Sequence, residues 1–154
     1  MTPAIDVLQK AKVKYLLHQY EHDPRASSYG LEAAEKLGFD PQQVYKTLVV
    51  SLDGGGLGVA VIPVDEKLNL KAAAAAFKVK KVALAPAAAV SRATGYVLGG
   101  VSPLGQKKRL PTVLAAAAAT RATILVSGGR RGLDLELAPA ALQSLTDAVY
   151  APLT

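Results

Sequence analysis

The sequence predicts an α+β fold: one domain, residues 1–154, with a mixed, mostly antiparallel, barrel-like sheet flanked by helices. Three observations carry this. Two β-branched apolar runs enclose an Asp-Gly turn, a strong hairpin signal. Helical and strand-like segments interleave with several hairpin-like neighbours and no regular βαβ alternation. The length suits one sizeable core, and no linker or fixed-period repeat divides it.

The elements follow in order. "TPAIDVLQKAK" is a helix with Thr2 as cap, Pro3 in its first turn, and Ile5 and Leu8 on one face. "KYLLHQY", 14–20, is a strand, and "EHDPRASS" is a loop in which Pro24 extends Asp23. "YGLEAAEKLG" is a helix capped by Ser27 or Ser28 and stopped by Gly38. "DPQQ" spaces Asp40 and Gln43 like a capping box on one short turn. "KTLVVSL" and "LGVAVIP" form the hairpin around "DGGG". "NLKAAAAAF" is a helix capped by Asn69, and "KKVALA" is a short strand. "PAAAVSRATG" is a helix between Pro86 and Gly95. "YVLGG", "TVLAA", "ATILVSGG" and "LDLEL" are strands, and "APAALQSLTDAVY" is the last helix.

Composition narrows the function. The alanine runs at 72–76 and 115–119 raise the apolar content to 51%, yet neither approaches the ~18–20 residues of a membrane span. Asp6 and Lys10 interrupt the apolar pattern of the N-terminal segment, which lacks a signal-peptide plan. A cytoplasmic protein is expected. With no cysteine, disulfides, thiolate metal sites and cysteine nucleophiles are excluded. Net charge is +6 and favours polyanionic partners, nucleic acid first. The cations form three groups: Lys78, Lys80 and Lys81; Lys107, Lys108 and Arg109; Arg130 and Arg131. Each alone reads as a solvated face.

Standard catalytic motifs are absent. "GGVSPLGQKK" lacks the Gly-Lys-Ser/Thr of a Walker loop, and the glycines at 128–132 precede a strand where a dinucleotide fingerprint needs a helix. His18 and His22 have metal spacing only on a helix, and their segment reads as strand then loop, so no metal is expected. No Gly-x-Ser-x-Gly elbow exists. Lys46 opens a very apolar strand. It is either a solvated strand end or a cation aimed at a carbonyl or phosphate. Tyr20 and Ser127 end strands, and the alternation of "LDLEL" favours solvent for Asp134. Gly99 and Gly100 are either a tight turn or a loop that offers backbone N–H groups to an oxyanion, with Pro103 as stiffener.

"YEHDP", "VYKTL", "TGYVLGGVSPLGQKKRLPT" and "VSGGRRGLDLEL", in this order, resemble the YbaK/EbsC family of aminoacyl-tRNA deacylases, which is related to the editing domain inserted in prolyl-tRNA synthetase. The likeness runs end to end and is greatest to the YbaK type, which removes cysteine wrongly attached to proline tRNA. It implies an enzyme that hydrolyses Cys-tRNA(Pro) without metal or cofactor. The implied partners are tRNA and prolyl-tRNA synthetase, with neither membrane nor DNA. By the resemblance Lys46, Gly99 and Gly100 are catalytic. Tyr20, Thr47, Ser102, Pro103, Ser127, Gly128 and Asp134 hold the substrate. Lys107, Lys108, Arg109, Arg130 and Arg131 grip tRNA. The implied nucleophile is the substrate's own thiol, with effective molarity on the order of 10⁵–10⁸ M in good geometry. The alternatives are another specificity, such as Ala-tRNA(Pro), and a non-catalytic module that binds tRNA or a synthetase.

Overall fold

A computed structural model describes residues 1–154. Helix α1 (Pro3–Ala11) starts at Thr2, whose hydroxyl accepts the Ile5 N–H, and buries Ala4, Ile5 and Leu8. Strand β1 (Leu16–Gln19) leads through a loop to α2 (Tyr29–Leu37), which Ser28 caps and Gly38 ends. The turn at 40–43 is closed by the Asp40 carboxylate, which accepts the Gln42 N–H at 2.8 Å. Strands β2 (Tyr45–Leu52) and β3 (Leu57–Pro63) form the hairpin, with Lys46 opposite Ile62. Then come α3 (Leu70–Phe77), capped by Asn69, β4 (Val82–Leu84) and α4 (Ala87–Thr94). After a long connection, β5 (Thr112–Ala115) passes into a 3-10 turn, Ala116–Thr120. β6 (Ile124–Arg130), β7 (Leu133–Leu137), α5 (Pro139–Thr146) and β8 (Val149–Ala151) complete the chain.

The strands form two sheets, β4-β2-β3-β5-β8 and β1-β7-β6. Pairing is antiparallel except for β3 with β5 and β5 with β8. The sheets do not close into a barrel. They meet at a seam where Val44 bridges Leu125, supported by Leu125 N–H to Gln43 O at 3.0 Å and Val64 N–H to Val44 O at 2.9 Å. β3 lies inside its sheet with Val59, Ala60, Val61 and Ile62 fully buried, so it reads as an unbroken apolar run. A main core joins α1, β2, β3 and β5 to β6 and β7. A smaller cluster of Ala33, Ala34, Val44, Val64 and Leu125 packs α2 onto the seam, with Tyr20 against it. No helix is long and apolar enough to cross a membrane.

Two expected elements differ. "YVLGG" is not a strand: Val97 and Leu98 are exposed, and Gly100 N–H closes a turn on Val97 O at 3.0 Å. No neighbouring strand is there to pair with, so an apolar tripeptide is left in a loop. The last helix stops at Thr146, because Asp147 takes a left-handed conformation (φ 55) and the chain continues into β8 beside β5.

Candidate active site

A cavity of about 290 Å³ opens at the seam between the sheets. Its walls come from the end of β1, the start of α2, the start of β2, the turn after α4 and the middle of the β6–β7 pair. Six of the residues singled out from sequence line it: Tyr20, Lys46, Thr47, Gly99, Ser127 and Asp134.

Lys46 sits where β2 leaves the seam, partly buried, with Nζ donating to Val64 O at 3.4 Å. Burial pushes its pKa below the usual lysine value, Asp65 pulls it back up and Lys67 adds to the lowering. The neighbouring Thr47 Oγ1 is buried without a hydrogen-bond partner. Asp134 is on the central strand of the three-stranded sheet, opposite both His18 and Ser127. It does not face solvent as alternation suggested: it is 7% exposed, because the cavity walls cover the face that bears it. Burial lifts its carboxyl to about 7, with His18 pulling the other way. Tyr20 is raised to about 12, by burial first and then by the nearby Asp134 charge.

Gly99 has φ +87, and a Cβ there would strike the Tyr29 ring and the Arg131 side chain. Its N–H and that of Val101, also in the wall, donate to no group of the protein. Ser27, Ser28, Tyr29 and Gly30 line the opposite side. The Tyr29 and Gly30 N–H groups open α2 and have no partner within the helix. Lys46, the start of a helix dipole and unpaired amides thus share one cavity, a setting that favours developing negative charge. No histidine lines it. Ser127 Oγ accepts the Gly129 N–H at 3.1 Å and has no side-chain base as partner.

The other anticipated residues lie elsewhere. Gly100 is buried beside the Arg130 backbone, which a Cβ would approach to 2.8 Å, and its N–H is already used on Val97 O. Ser102 is fully buried, with Oγ accepting the Leu104 N–H, so it shapes the loop from inside. Gly128 accepts the Thr2 hydroxyl through its carbonyl and packs against Leu133, away from the cavity. Pro103, Lys108 and Arg109 line a separate cavity of about 220 Å³ between the loop, α1 and α5. Lys107 adjoins them, bonded through its N–H to Thr94 O, and Arg109 pairs with Asp147. The chain dives inward at Val101–Leu104 and resurfaces on another face, which separates these cations from the glycines before them. Arg130 and Arg131 flank a shallow groove that shares Tyr20 with the main cavity. The α2 start was missed as a wall. Its signal was present in the Ser27–Ser28 cap, since a cap implies free N–H groups just after it. His18 and His22 pair with Glu136 at 2.8 Å and Glu32 at 2.7 Å respectively.

Residues 23–145 match the model of the aminoacyl-tRNA editing domain. The chain belongs to that family. EbsC of Enterococcus faecalis, which carries the provisional name Cys-tRNA(Pro)/Cys-tRNA(Cys) deacylase, is 40% identical over 99% of this chain and 93% of its own. The solved structure of hypothetical protein APE2540 superposes with TM-score 0.88 at 29% identity, covering 99% of both chains. A structure described as a candidate trans-editing enzyme for prolyl tRNA synthetase superposes with TM-score 0.82 over 100% of this chain and 98% of that one. At 24% identity, this last likeness concerns the fold. The protein is an aminoacyl-tRNA deacylase, a hydrolase whose substrate is aminoacyl-tRNA.

Proposed function

We propose that this deacylase clears cysteine from misacylated Cys-tRNA(Pro), acting in trans as one domain of residues 1–154, in the cytoplasm and beside prolyl-tRNA synthetase. The observation that carries the proposal is a cavity with a desolvated cation and unpaired amides but no activated nucleophile of its own. Such a wall can stabilise an oxyanion, and a substrate that carries its own attacking group asks nothing more of it. A cysteinyl ester carries one. Its thiolate attacks the ester carbonyl carbon, the new C–S bond displaces the ribose oxygen, and that oxygen takes a proton as tRNA leaves. Water then opens the thiolactone to free cysteine. The Gly99 N–H receives the oxyanion, and Lys46 holds the ester or the adjoining phosphate. Asp134 and Tyr20 meet the amino acid end, with Thr47 and Ser127 beside them. The Gly100 N–H, already bonded, acts by shaping the turn. The name carried by EbsC accords with this substrate.

The experiment is a side-by-side deacylation of Cys-, Ser- and Ala-tRNA(Pro) by wild type and Lys46→Ala. Cys-tRNA(Pro) should be cleaved far faster than the other two. Lys46→Ala should slow it about 10²–10³-fold, the usual cost of one oxyanion-stabilising group. Seryl ester cleaved as fast as cysteinyl ester rules out thiol assistance. Equal rates for wild type and variant remove Lys46 from the chemistry, and tight tRNA binding without turnover leaves a binding module.

A further inference from the structure

The mouth of the cavity is tied together by one guanidinium. Arg131 Nη2 donates to Leu98 O at 2.7 Å, while its Cζ stands 4.3 Å from the centre of the Tyr29 ring. The edge of the fork is thus used on a carbonyl and its face on an aromatic, a combination that arginine provides and lysine does not. The Tyr29 ring in turn leans on His22, with ring centres 5.5 Å apart. His22 Nδ1 bonds Glu32 Oε1 at 2.7 Å, and Glu32 Oε2 accepts the Asp23 N–H at 2.7 Å. A buried carboxylate therefore anchors a chain that ends at the glycine turn.

The bond to Leu98 O bears directly on Gly99. That carbonyl and the Gly99 N–H belong to one planar trans peptide and point in opposite directions. Fixing the oxygen on Arg131 fixes the hydrogen on the other side. Gly99 also fits against the clamp without space to spare: a Cβ would lie 2.5 Å from Arg131 Nε and 2.7 Å from Tyr29 Cδ2.

We infer that Arg131 is a positioning residue for ester cleavage, clamping the Leu98–Gly99 peptide between the β6–β7 turn and Tyr29 so that the Gly99 N–H is held for the oxyanion. This rests on the proposal that Gly99 serves an ester. It also separates Arg131 from its likewise exposed neighbour Arg130, whose side chain makes no contact of this kind and is left for phosphate.

The test compares Arg131→Lys, Arg131→Ala and Tyr29→Leu with wild type. In the clamp, kcat falls on the order of 10²-fold in all three, the usual penalty of a small misplacement. KM and the salt dependence of tRNA binding then stay put in Arg131→Lys. If Arg131 instead grips phosphate, Arg131→Lys keeps its kcat. In that case Arg131→Ala raises KM and lowers the salt slope by about one, which overturns the clamp. A second measurement needs no substrate: hydrogen exchange at the Gly100 amide, bonded to Val97 O in the same turn, should quicken in Arg131→Lys. Unchanged exchange overturns the clamp. A wild type that cleaves no aminoacyl-tRNA strikes at the proposed function and leaves the exchange result to decide the clamp.

Discussion

Asp134 carries an energetic burden that its neighbour His18 relieves only in part. Its carboxyl titrates near 7 in the folded chain, against 3.8 for an unperturbed aspartate. Between those values the folded state holds a proton that the unfolded chain has lost, so stability falls as pH rises from about 4 through about 7. The loss reaches on the order of 4 kcal/mol above that window. Asp134→Asn should therefore stabilise the protein more at pH 8 than at pH 4, read as the shift in urea midpoint at each pH, while deacylation falls. Equal shifts at the two pH values would contradict a buried, proton-holding carboxyl. The residue was visible in the sequence only through likeness of motif, since period-two alternation gives no sign that a second wall covers that face. Lys46 posed the reverse problem. A strand-entrance lysine looks solvated until the seam places Val64 O and an apolar surround beside it. Gly100, Ser102, Pro103 and Gly128 stood close in sequence to cavity residues, but neighbouring residues on a turn or strand point to different sides.

Helix α2 does more than cover the seam. Glu32 lies in its first turn, buried, and burial alone would raise its carboxyl. The Asp23 N–H, His22 and Lys36 outweigh that and hold it at about 2. Its contribution is present above pH 4.5 and fades as pH falls towards 2. Glu32→Ala should lose about 1.5–3 kcal/mol at pH 7, the worth of hydrogen bonds to a charged group. The gap to wild type in denaturant titrations should narrow below pH 4. An unchanged gap in acid would show that the loss is one of packing. At this scale the sequence was largely legible. Caps at Thr2, Ser28 and Asn69 and the left-handed stop at Gly38 mark helix ends through local hydrogen bonding that needs no partner element. The 96–100 turn was not, because Val97 and Leu98 supply strand composition while the absence of a pairing strand is a property of the assembled sheet.

Across the whole molecule, the net charge of +6 is divided between faces. The groove of Arg130 and Arg131 adjoins the cavity through Tyr20, whereas Lys108 and Arg109 line a different hollow. A short single-stranded acceptor-end oligonucleotide should feel Arg130, the free cation of the first group, and not the second group. In fluorescence anisotropy over a range of salt, Arg130→Ala should lower the magnitude of its log–log slope by about 0.7, and Lys108→Ala should leave it unaltered. A slope that responds to Lys108→Ala would place the strand on the other face. The mixed α+β class could be read from hairpin and helix signals, but the split into two sheets could not, since it depends on one bridge between residues far apart in the chain, Val44 and Leu125. That seam has a mechanical consequence. Lys46 rides on one plate and Asp134, Ser127 and Tyr20 ride on or beside the other, so a small slip between the plates pulls the cation away from the residues that share its cavity. Neither plate need unfold for the cavity to lose its shape, and under the proposed chemistry the register of the site is only as firm as the joint.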